Sequence, residues 1–257
     1  MVWNRTKAVH SYCMTNGMQV TSIFSPALYP YCHRSKEFIC VIVDVLRATT
    51  TMCTMIEHGA KIIPVASLDE AREYKQKGFL VAGERREQKL DFTDFDNSAL
   101  SFQTDAIKGK TIVHTTTNGT QALELAKQYS PREIVIGAFV NLSSLTNYLL
   151  SKKFDVDILC SGWKNTFSLE DSVFAGALSE NLLLNGCISG NDATFAAIDL
   201  WKEAKNDLKS YLNKASHAER LRKDGLDDVF DYTYTIDACH NVPILIGKTL
   251  VDANTKN

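Results

Sequence analysis

The sequence has 257 residues, 45% of them hydrophobic, and its 28 basic and 30 acidic side chains give a formal net charge of −2. With only 13 glycines and 5 prolines, it is not a low-complexity, collagen-like or linker-dominated chain. The near-neutral, scattered charge argues against a nucleic-acid binder, which usually carries a clustered basic excess. A chain of this length can form a core without disulfides or a structural metal.

The first residues and the cysteines indicate the compartment. The start, MVWNRTKAVH, contains no apolar segment typical of a secretory signal, and no apolar run approaches the ~20 residues that span a membrane. The seven cysteines form no CxxC pair, which is typical of buried thiols in a reducing compartment. We therefore expect a cytoplasmic protein without a membrane partner.

Apolar, β-branched runs alternate with helical patterns, which predicts an α/β fold with a layered α/β/α arrangement around a mixed sheet. We expect strands at 38–44, 61–65, 111–115, 133–137 and 156–160. We expect helices at 50–58, 68–77, 119–128, 142–152, 170–185, 192–204 and 205–214. The first helix should begin at a threonine cap and end at Gly59, and Pro64 should mark a sheet edge or a strand end. Apolar residues in 84–104 follow neither the spacing of a helix nor the alternation of a strand, which predicts a long ordered loop.

A strand, a threonine-rich turn, a helix and a second strand occur twice, at 38–65 and at 111–137. This repeat predicts that the domain at 19–257 has two similar halves, 19–105 and 106–257, whose strand ends face one pocket. Residues 1–18 then form an N-terminal extension. The alternative, that the repeat is only the order common to α/β proteins, stays open.

Polar groups at the strand ends are the candidate binding groups, because ligands of open α/β sheets bind beyond the carboxyl ends of strands. Helix N-termini at that edge favour anions. The groups that would hold phosphate or sulfonate oxygens belong to Thr49, Thr50, Thr51, Thr115, Thr116, Thr117, Asn118 and Gly119. The alternative is that the threonines cap helices and that Asn-Gly makes a tight turn.

Charged residues at the same strand ends favour a metal and phosphate site. Asp44 ends an apolar strand, where a charge requires a partner or a metal. Arg47 carries a planar guanidinium that can bind phosphate through two hydrogen bonds. The alternative is that Asp44 and Arg47 form a structural ion pair. Glu170 and Asp171 follow Ser168, a predicted helix cap, and acidic residues are common in a first helical turn for that reason alone.

Spacing excludes several familiar catalytic sites. The Gly-Lys-Thr triplets at 109–111 and 247–249 lack the preceding glycine of a P-loop, and the six histidines show no HExxH spacing. The sequence contains no G-x-S-x-G elbow. Leu46 stands where a haloacid dehalogenase has its second aspartate. The common hydrolase signatures are therefore absent.

The run VDVLRATTT, at 43–51, resembles the signature of the 2-phosphosulfolactate phosphatase family. Further segments resemble the family in order between about residue 20 and residue 248: Gly83-Glu84-Arg85, Asn97-Ser98, 115–120 (TTTNGT), Ser161-Gly162-Trp163, 167–171 (FSLED), 175–177 (AGA), Ser216-His217, Asp237 and Val242-Pro243. The resemblance implies a magnesium-dependent phosphatase that hydrolyses 2-phospho-3-sulfolactate to sulfolactate and phosphate, in coenzyme M biosynthesis.

This interpretation gives each candidate residue a role. Asp44 with Glu170 or Asp171 would hold Mg²⁺, which commonly uses one or two carboxylates together with water and phosphate oxygens. The remaining assignments are Glu84 as general base, His217 as general acid, Arg47 as the group that stabilises phosphoryl charge, and Arg85 and Ser168 as further substrate-binding residues. Asp44 as a covalent nucleophile and His217 as a surface histidine are the alternatives.

In the family two glycines follow Gly-Glu-Arg, whereas this chain has Arg86 and Glu87 at those positions. Side chains at these positions would alter the wall of the substrate site, which predicts that 2-phosphosulfolactate is not the best substrate. The alternative functions are a non-catalytic binder of phosphorylated or sulfonated metabolites and a scaffold protein. A homodimer is expected only because two-fold homo-oligomers are the commonest assemblies.

Overall fold

The computed structural model describes residues 17–32, 37–85 and 88–255, and the strands among them form one mixed sheet. The strands are β1 (Gln19–Ile23), β2 (Phe38–Val43), β3 (Lys61–Pro64), β4 (Leu80–Arg85), β5 (Gln88–Lys89), β6 (Thr111–Thr115), β7 (Glu133–Gly137), β8 (Asp155–Cys160), β9 (Ile188–Ser189), β10 (Pro243–Ile246) and β11 (Thr249–Asp252). The α-helices are α1 (Ala48–Glu57), α2 (Leu68–Gln76), α3 (Gly119–Lys127), α4 (Leu142–Lys152), α5 (Leu169–Leu184), α6 (Asp192–Ala204), α7 (Leu208–Leu212), α8 (Ser216–Lys223) and α9 (Phe230–Thr233).

Two groups of parallel strands make up most of the sheet, whose order is β5-β4-β6-β3-β11-β10-β7-β2-β8-β1-β9. The first group is β7, β2, β8, β1 and β9, and the second is β3, β6 and β4. The antiparallel hairpin β10–β11 pairs with β7 on one side and with β3 on the other. Because all three of these pairings are antiparallel, the two groups run in opposite directions along the sheet.

The layered α/β/α architecture predicted from the sequence is confirmed, and β2 shows why its residues are apolar without alternation. Successive side chains of a strand point to opposite faces, and both faces of β2 are covered. Ile39, Val41 and Val43 belong to the core that includes α5, whereas Cys40 and Ile42 belong to the core that includes α1. Helix α6 also packs on β1, α3 packs on β2 and β7, and α2 packs on β4 and β6.

The five predicted strands are all present, and the predicted helices begin and end within two residues of the observed ones, except for the last. The predicted helix 205–214 is a shorter helix, α7, which begins after Asp207, whose side chain accepts the N–H of Ser210. The predicted threonine cap of α1 is wrong, because the helix begins at Ala48 and the threonines lie inside its first turn. Gly59, with φ +80°, does follow the helix end.

Two further predictions need correction. Residues 84–104 are not one loop, since the segment holds the end of β4, the strand β5 and a 3-10 helix at Ala99–Phe102. Pro64 ends its strand as predicted but does not lie at a sheet edge, because β3 is paired with β6 and β11. The proposed halves stay a prediction, and residues 1–16 of the proposed extension lie outside the described residues.

The carboxyl ends of β2 and β6 meet, although their groups run in opposite directions. Gly119, which follows β6, lies against Asp44, which follows β2. The sheet must therefore bend between the two groups. The hairpin junctions allow this bend, because each consists of one bridged pair among the described residues, Ile244 with Val135 and Leu250 with Ile62. Helices α1 and α3 both begin at this meeting point.

Within the described ranges six cysteines are free thiols, and all but Cys32 are buried. No helix in those ranges has both the length and the apolar character that a transmembrane span requires.

Candidate active site

Asp44 lies at the centre of the site, 5% exposed, where β2 ends. Its carboxylate accepts a hydrogen bond from the backbone N–H of Gly119, the first residue of α3. A Cβ added to Gly119 would lie 2.9 Å from Asp44 Oδ2 and 2.9 Å from Ala48 Cβ. Glycine is therefore what allows the beginnings of α1 and α3 to approach this carboxylate so closely.

The buried position of Asp44 changes its acidity. The pKa of Asp44 is raised from 3.8 to about 7, chiefly by burial; the charge of His217 lowers the pKa, and the charges of Glu84 and Glu170 raise it. A carboxyl group with a pKa near neutrality can carry or release a proton under physiological conditions. Such perturbed groups concentrate at functional sites.

Asp171 holds two loops in place. One carboxylate oxygen accepts the N–H of Val45 at 2.9 Å, and the other accepts the N–H of Gly162 at 3.1 Å. These donors follow β2 and β8, so Asp171 fixes the ends of two neighbouring strands. Burial and the charges of Glu170 and Asp44 hold the pKa of Asp171 well above its usual range.

Glu170 and His217 form a buried pair, with His217 Nδ1 2.9 Å from Glu170 Oε1. Burial alone would raise the pKa of Glu170, but the hydrogen bond and charge of His217 outweigh it and hold the pKa below its ordinary value. Ser168 caps α5 by accepting the N–H of Asp171 at 3.5 Å. His217 is therefore a buried member of the acidic cluster, which excludes the alternative of a surface histidine.

Trp163 and Arg220 border this pair. The Arg220 guanidinium lies 4.2 Å from the centre of the Trp163 ring, and the centre of the His217 ring lies 6.0 Å from that of Trp163. Trp163 was predicted only through the family resemblance, and Arg220 was not predicted. Arg220 lies three residues after His217 on α8, on the same helical face, and this spacing was the available signal.

Glu84 and Arg85 hold the second threonine-rich turn. Glu84 accepts the backbone N–H of Thr117 at 2.9 Å and its hydroxyl at 3.3 Å. The Arg85 guanidinium donates to Thr115 Oγ1 at 2.9 Å, to the Ala66 carbonyl and to the Glu84 carbonyl. The structure thus places both residues beside the turn and engages them with protein groups. Their roles as general base and substrate-binding residue stay predictions.

The first threonine-rich turn is engaged in the same way. Thr49 Oγ1 accepts the N–H of Asp44, Thr50 donates to the Val45 carbonyl, and Thr51 donates to the Asn97 carbonyl. Thr50 and Thr51 therefore donate their hydroxyl hydrogens to backbone carbonyls. Thr49 accepts a hydrogen bond, and that bond does not use its hydroxyl hydrogen. In the second turn Thr116 Oγ1 accepts the N–H of Thr120, and Asn118 Oδ1 accepts that of Lys164. Whether these residues also bind substrate stays a prediction.

Arg47 is 4% exposed and lines a cleft of about 270 Å³. The cleft is also lined by Lys89, Asp96, Asp224 and Leu226. The guanidinium charge also contributes to the lowered pKa of His114 on β6, so Arg47 lies near both threonine-rich turns. Arg86 and Glu87, which replace the glycines of the resembled family, lie outside the described residues.

His114 is a further residue of the site that the sequence analysis did not select. It is fully buried, its Nε2 lies 2.9 Å from Asn97 Oδ1, and burial together with the charges of Arg85 and Arg47 lowers its pKa to about 3. His114 is therefore neutral and helps to fix Asn97, whose carbonyl accepts the hydroxyl of Thr51. Its place one residue before the second threonine-rich turn was the available signal.

The carboxylates of the site suit a hard divalent cation. The charges of Glu84 and Glu170 raise the pKa of Asp44, and Mg²⁺ prefers oxygen ligands of this kind. In the part of the chain that the structure describes, no three histidine, cysteine, aspartate or glutamate side chains are grouped closely enough to hold an ion together. A cation here would therefore depend on one or two carboxylates together with water and substrate oxygens.

Known proteins of one family are similar to this chain over most of its length. A sequence profile of the 2-phosphosulpholactate phosphatase family matches residues 23–248. A probable 2-phosphosulfolactate phosphatase of Thermotoga maritima is 38% identical over 212 residues, which cover 82% of this chain and 90% of the relative. Proteins with the same name from Caldanaerobacter subterraneus and Gloeobacter violaceus are 36% and 37% identical and cover 82% and 88% of this chain, and 88% and 94% of their own lengths.

Proposed function

Because the chain belongs to the 2-phosphosulpholactate phosphatase family, we propose that it is a magnesium-dependent phosphatase of small polyanionic phosphoesters that hydrolyses 2-phospho-3-sulfolactate. Arg86 and Glu87, in place of two glycines of the family, still predict that another phosphoester is the better substrate. Family membership gives the reaction class, a phosphoric monoester hydrolase. The observation that carries the proposal is the buried group of Asp44, Glu84, Glu170 and Asp171, placed where the ends of two strands and the beginnings of helices meet. The products would be sulfolactate and phosphate, as in coenzyme M biosynthesis in the cytoplasm.

Asp44 is the residue best placed to reach the reacting phosphoryl group. It would hold Mg²⁺ with Glu170 or Asp171, and when bound the ion supplies positive charge that polarises the phosphoryl group. The N-terminus of α3, which already donates to Asp44, and the guanidinium of Arg47 add positive charge around the equatorial oxygens. An aspartyl-phosphate route would use the same carboxylate as a nucleophile.

His217 is the proposed general acid. Its Nδ1 is held by Glu170, which fixes the ring and favours the protonated form, so that Nε2 can give a proton to the leaving alkoxide oxygen. Glu84 is the proposed general base that accepts a proton from the attacking water. Its two bonds to Thr117 also position the second threonine-rich turn.

Phosphate release from a panel of phosphoesters tests the proposal. The panel contains 2-phosphosulfolactate, 2-phosphoglycerate and p-nitrophenyl phosphate, each assayed with Mg²⁺, after chelation and after Mg²⁺ is restored. We expect release that chelation abolishes and Mg²⁺ restores. If no phosphoester is hydrolysed but the phosphoesters raise the melting temperature, the protein is a binder rather than an enzyme.

A further inference from the structure

A second cavity lies beside the candidate active site. It has a volume of about 210 Å³ and is bordered by α3, by the segment that follows β8 and by Pro26. Its polar lining comes from Asn118, Gln121, Ser161, Lys164 and Asn165, and its apolar lining includes Ala122 and Leu125. We call it the Ser161 cavity. Of the residues that line it, only Asn118 has a binding role assigned above.

Ser161 gives this cavity a specific chemistry. The residue is 2% exposed, and its Oγ has no hydrogen-bond partner among the residues that the structure describes. Buried hydroxyls in folded proteins are nearly always paired, and an unpaired one destabilises the fold. A group bound in the cavity that accepts a hydrogen bond from this hydroxyl would remove that cost.

The charge of the lining selects the sign of the ligand. Lys164 brings the one charge among the residues that border the cavity, and no carboxylate is among them. The neighbouring catalytic cluster is rich in buried carboxylates and is suited to a cation. Hydroxyl, carboxamide and ammonium groups around a small volume are instead suited to an oxyanion.

The cavity is within reach of a small molecule whose phosphoryl group lies at Asp44. Asn118 precedes Gly119, whose N–H binds the Asp44 carboxylate, and Ser161 precedes Gly162, whose N–H binds Asp171. Neighbouring Cα atoms are about 3.8 Å apart, so Asn118 and Ser161 each lie one residue from a backbone N–H that binds a carboxylate of the candidate active site. A hydrogen bond from Lys164 N–H to Asn118 Oδ1, at 3.5 Å, joins the two walls.

We propose that the Ser161 cavity binds a sulfonate or carboxylate group through the hydroxyl of Ser161 and the ammonium group of Lys164. That group is supplied either by the far end of the substrate or by a free small anion. The first source rests on the proposed function, whereas binding of the anion itself does not.

Direct binding tests the proposal without turnover. Methanesulfonate is titrated into the full chain by calorimetry, and the Ser161→Ala and Lys164→Gln variants are compared with Lys110→Gln, a lysine variant in a separate cavity with Gly78 and Phe79. Loss of one hydrogen bond or ion pair should weaken binding by about fivefold or more in the first two variants and leave the control unchanged. The melting temperature of Ser161→Ala should equal or exceed that of the natural chain, because an unpaired buried hydroxyl is removed.

Three results would overturn the proposal: no saturable binding, equal affinity in all variants, or binding weakened by Arg47→Ala but not by Ser161→Ala. The last would place the anion at the phosphoryl site. A lower melting temperature with unchanged affinity in Ser161→Ala would show that the hydroxyl has a structural role instead.

Kinetics then distinguish the two sources of the anion. If the substrate supplies it, Ser161→Ala should lower the ratio of kcat/KM for 2-phosphosulfolactate to that for ethyl phosphate, chiefly through KM. If a free anion supplies it, that ratio should not change while the calorimetric effect persists. Absence of all phosphate release, with cavity-dependent binding intact, would refute the proposed function and leave the anion site supported.

Discussion

Burial of Asp44 disfavours the charged carboxylate that its proposed function uses. Its pKa of about 7 shows that the folded protein makes ionisation costly, chiefly through burial. Asp44→Asn keeps the shape and removes the charge, so we expect the melting temperature at pH 8 to be retained or raised. Turnover should fall by roughly 100-fold or more, because the variant loses the carboxylate that we propose contacts the phosphoryl group or its metal.

Phosphate release and thermal unfolding of Asp44→Asn are measured together, with the exposed Asp199→Asn as a matched control. Full activity with unchanged magnesium dependence in Asp44→Asn would contradict the role given to this carboxylate. Unfolding of the variant would instead assign Asp44 to the architecture of the strand end.

Two substitutions of Arg47 distinguish the geometry of its hydrogen-bond donors from its positive charge. If its guanidinium binds two phosphoryl oxygens, Arg47→Lys should be nearly as damaging to kcat/KM as Arg47→Ala, because lysine keeps the charge but not the planar pair of donors. Restoration of most activity by lysine would show that only positive charge is needed. Unfolding of both variants would support the structural ion pair that the sequence alone left open.

Asp171 connects two structural elements, because its carboxylate binds the segments that follow β2 and β8. Asp171→Asn leaves one oxygen to accept two N–H groups, so one donor loses its partner at a cost of about 1–3 kcal/mol. We therefore expect both a lower melting temperature and a lower kcat. Asp44→Asn is the comparison, since it should lower kcat alone. A normal melting temperature in Asp171→Asn would point to a metal ligand rather than a structural support.

Gly119 is where two elements meet without space for a side chain. Alanine is favoured over glycine inside a helix by about 1 kcal/mol, so any loss of stability in Gly119→Ala must come from crowding. The added Cβ would contact Asp44 Oδ2 and Ala48 Cβ at 2.9 Å, and relief of such overlap costs about 1–3 kcal/mol. We expect lower stability and lower kcat, measured by denaturant unfolding and phosphate release beside Lys127→Ala on the same helix. Unchanged values would show that α1 and α3 can separate freely.

The elements were predictable from the sequence where local pattern determines them. The apolar run of β2 and the period of the following helix are local signals, and both are confirmed. The hairpin β10–β11 was not predicted, although PILI-GK-TLVD has a two-residue turn with Gly247 at φ +60°, a typical hairpin signal. The hydroxyl bonds of Thr50 and Thr51 were not predictable, because the carbonyls of Val45 and Asn97 are brought near only by the folded turns.

The arrangement of the whole molecule was less accessible from sequence. The repeated strand–turn–helix unit suggested that strand ends meet, but not that the two strand groups run in opposite directions around an inserted hairpin. That direction depends on pairings such as Leu250 with Ile62, which are distant in sequence and leave no periodic signal. The candidate site at Asp44 was predictable because a charge at the end of an apolar strand is unusual, whereas His114, the next-to-last residue of β6, was overlooked.

His114 links the site to the stability of the whole molecule. Its pKa of about 3 in the folded state lies below the ordinary 6.5, so between these values the unfolded chain binds a proton that the folded protein does not. The contribution of His114 to stability is therefore complete above pH 6.5 and is lost progressively as the pH falls towards 3, by at most about 1.4 kcal/mol per pH unit. Replacing it with a side chain that does not titrate, as in His114→Gln, should reduce the slope of unfolding free energy against pH in this window, whatever its effect on absolute stability. Denaturant unfolding at several pH values measures the slope, and the exposed His240→Gln should leave it unchanged. An equal slope in His114→Gln and the natural chain would mean that His114 is protonated in the folded protein, and the neutral hydrogen bond to Asn97 would then be wrong.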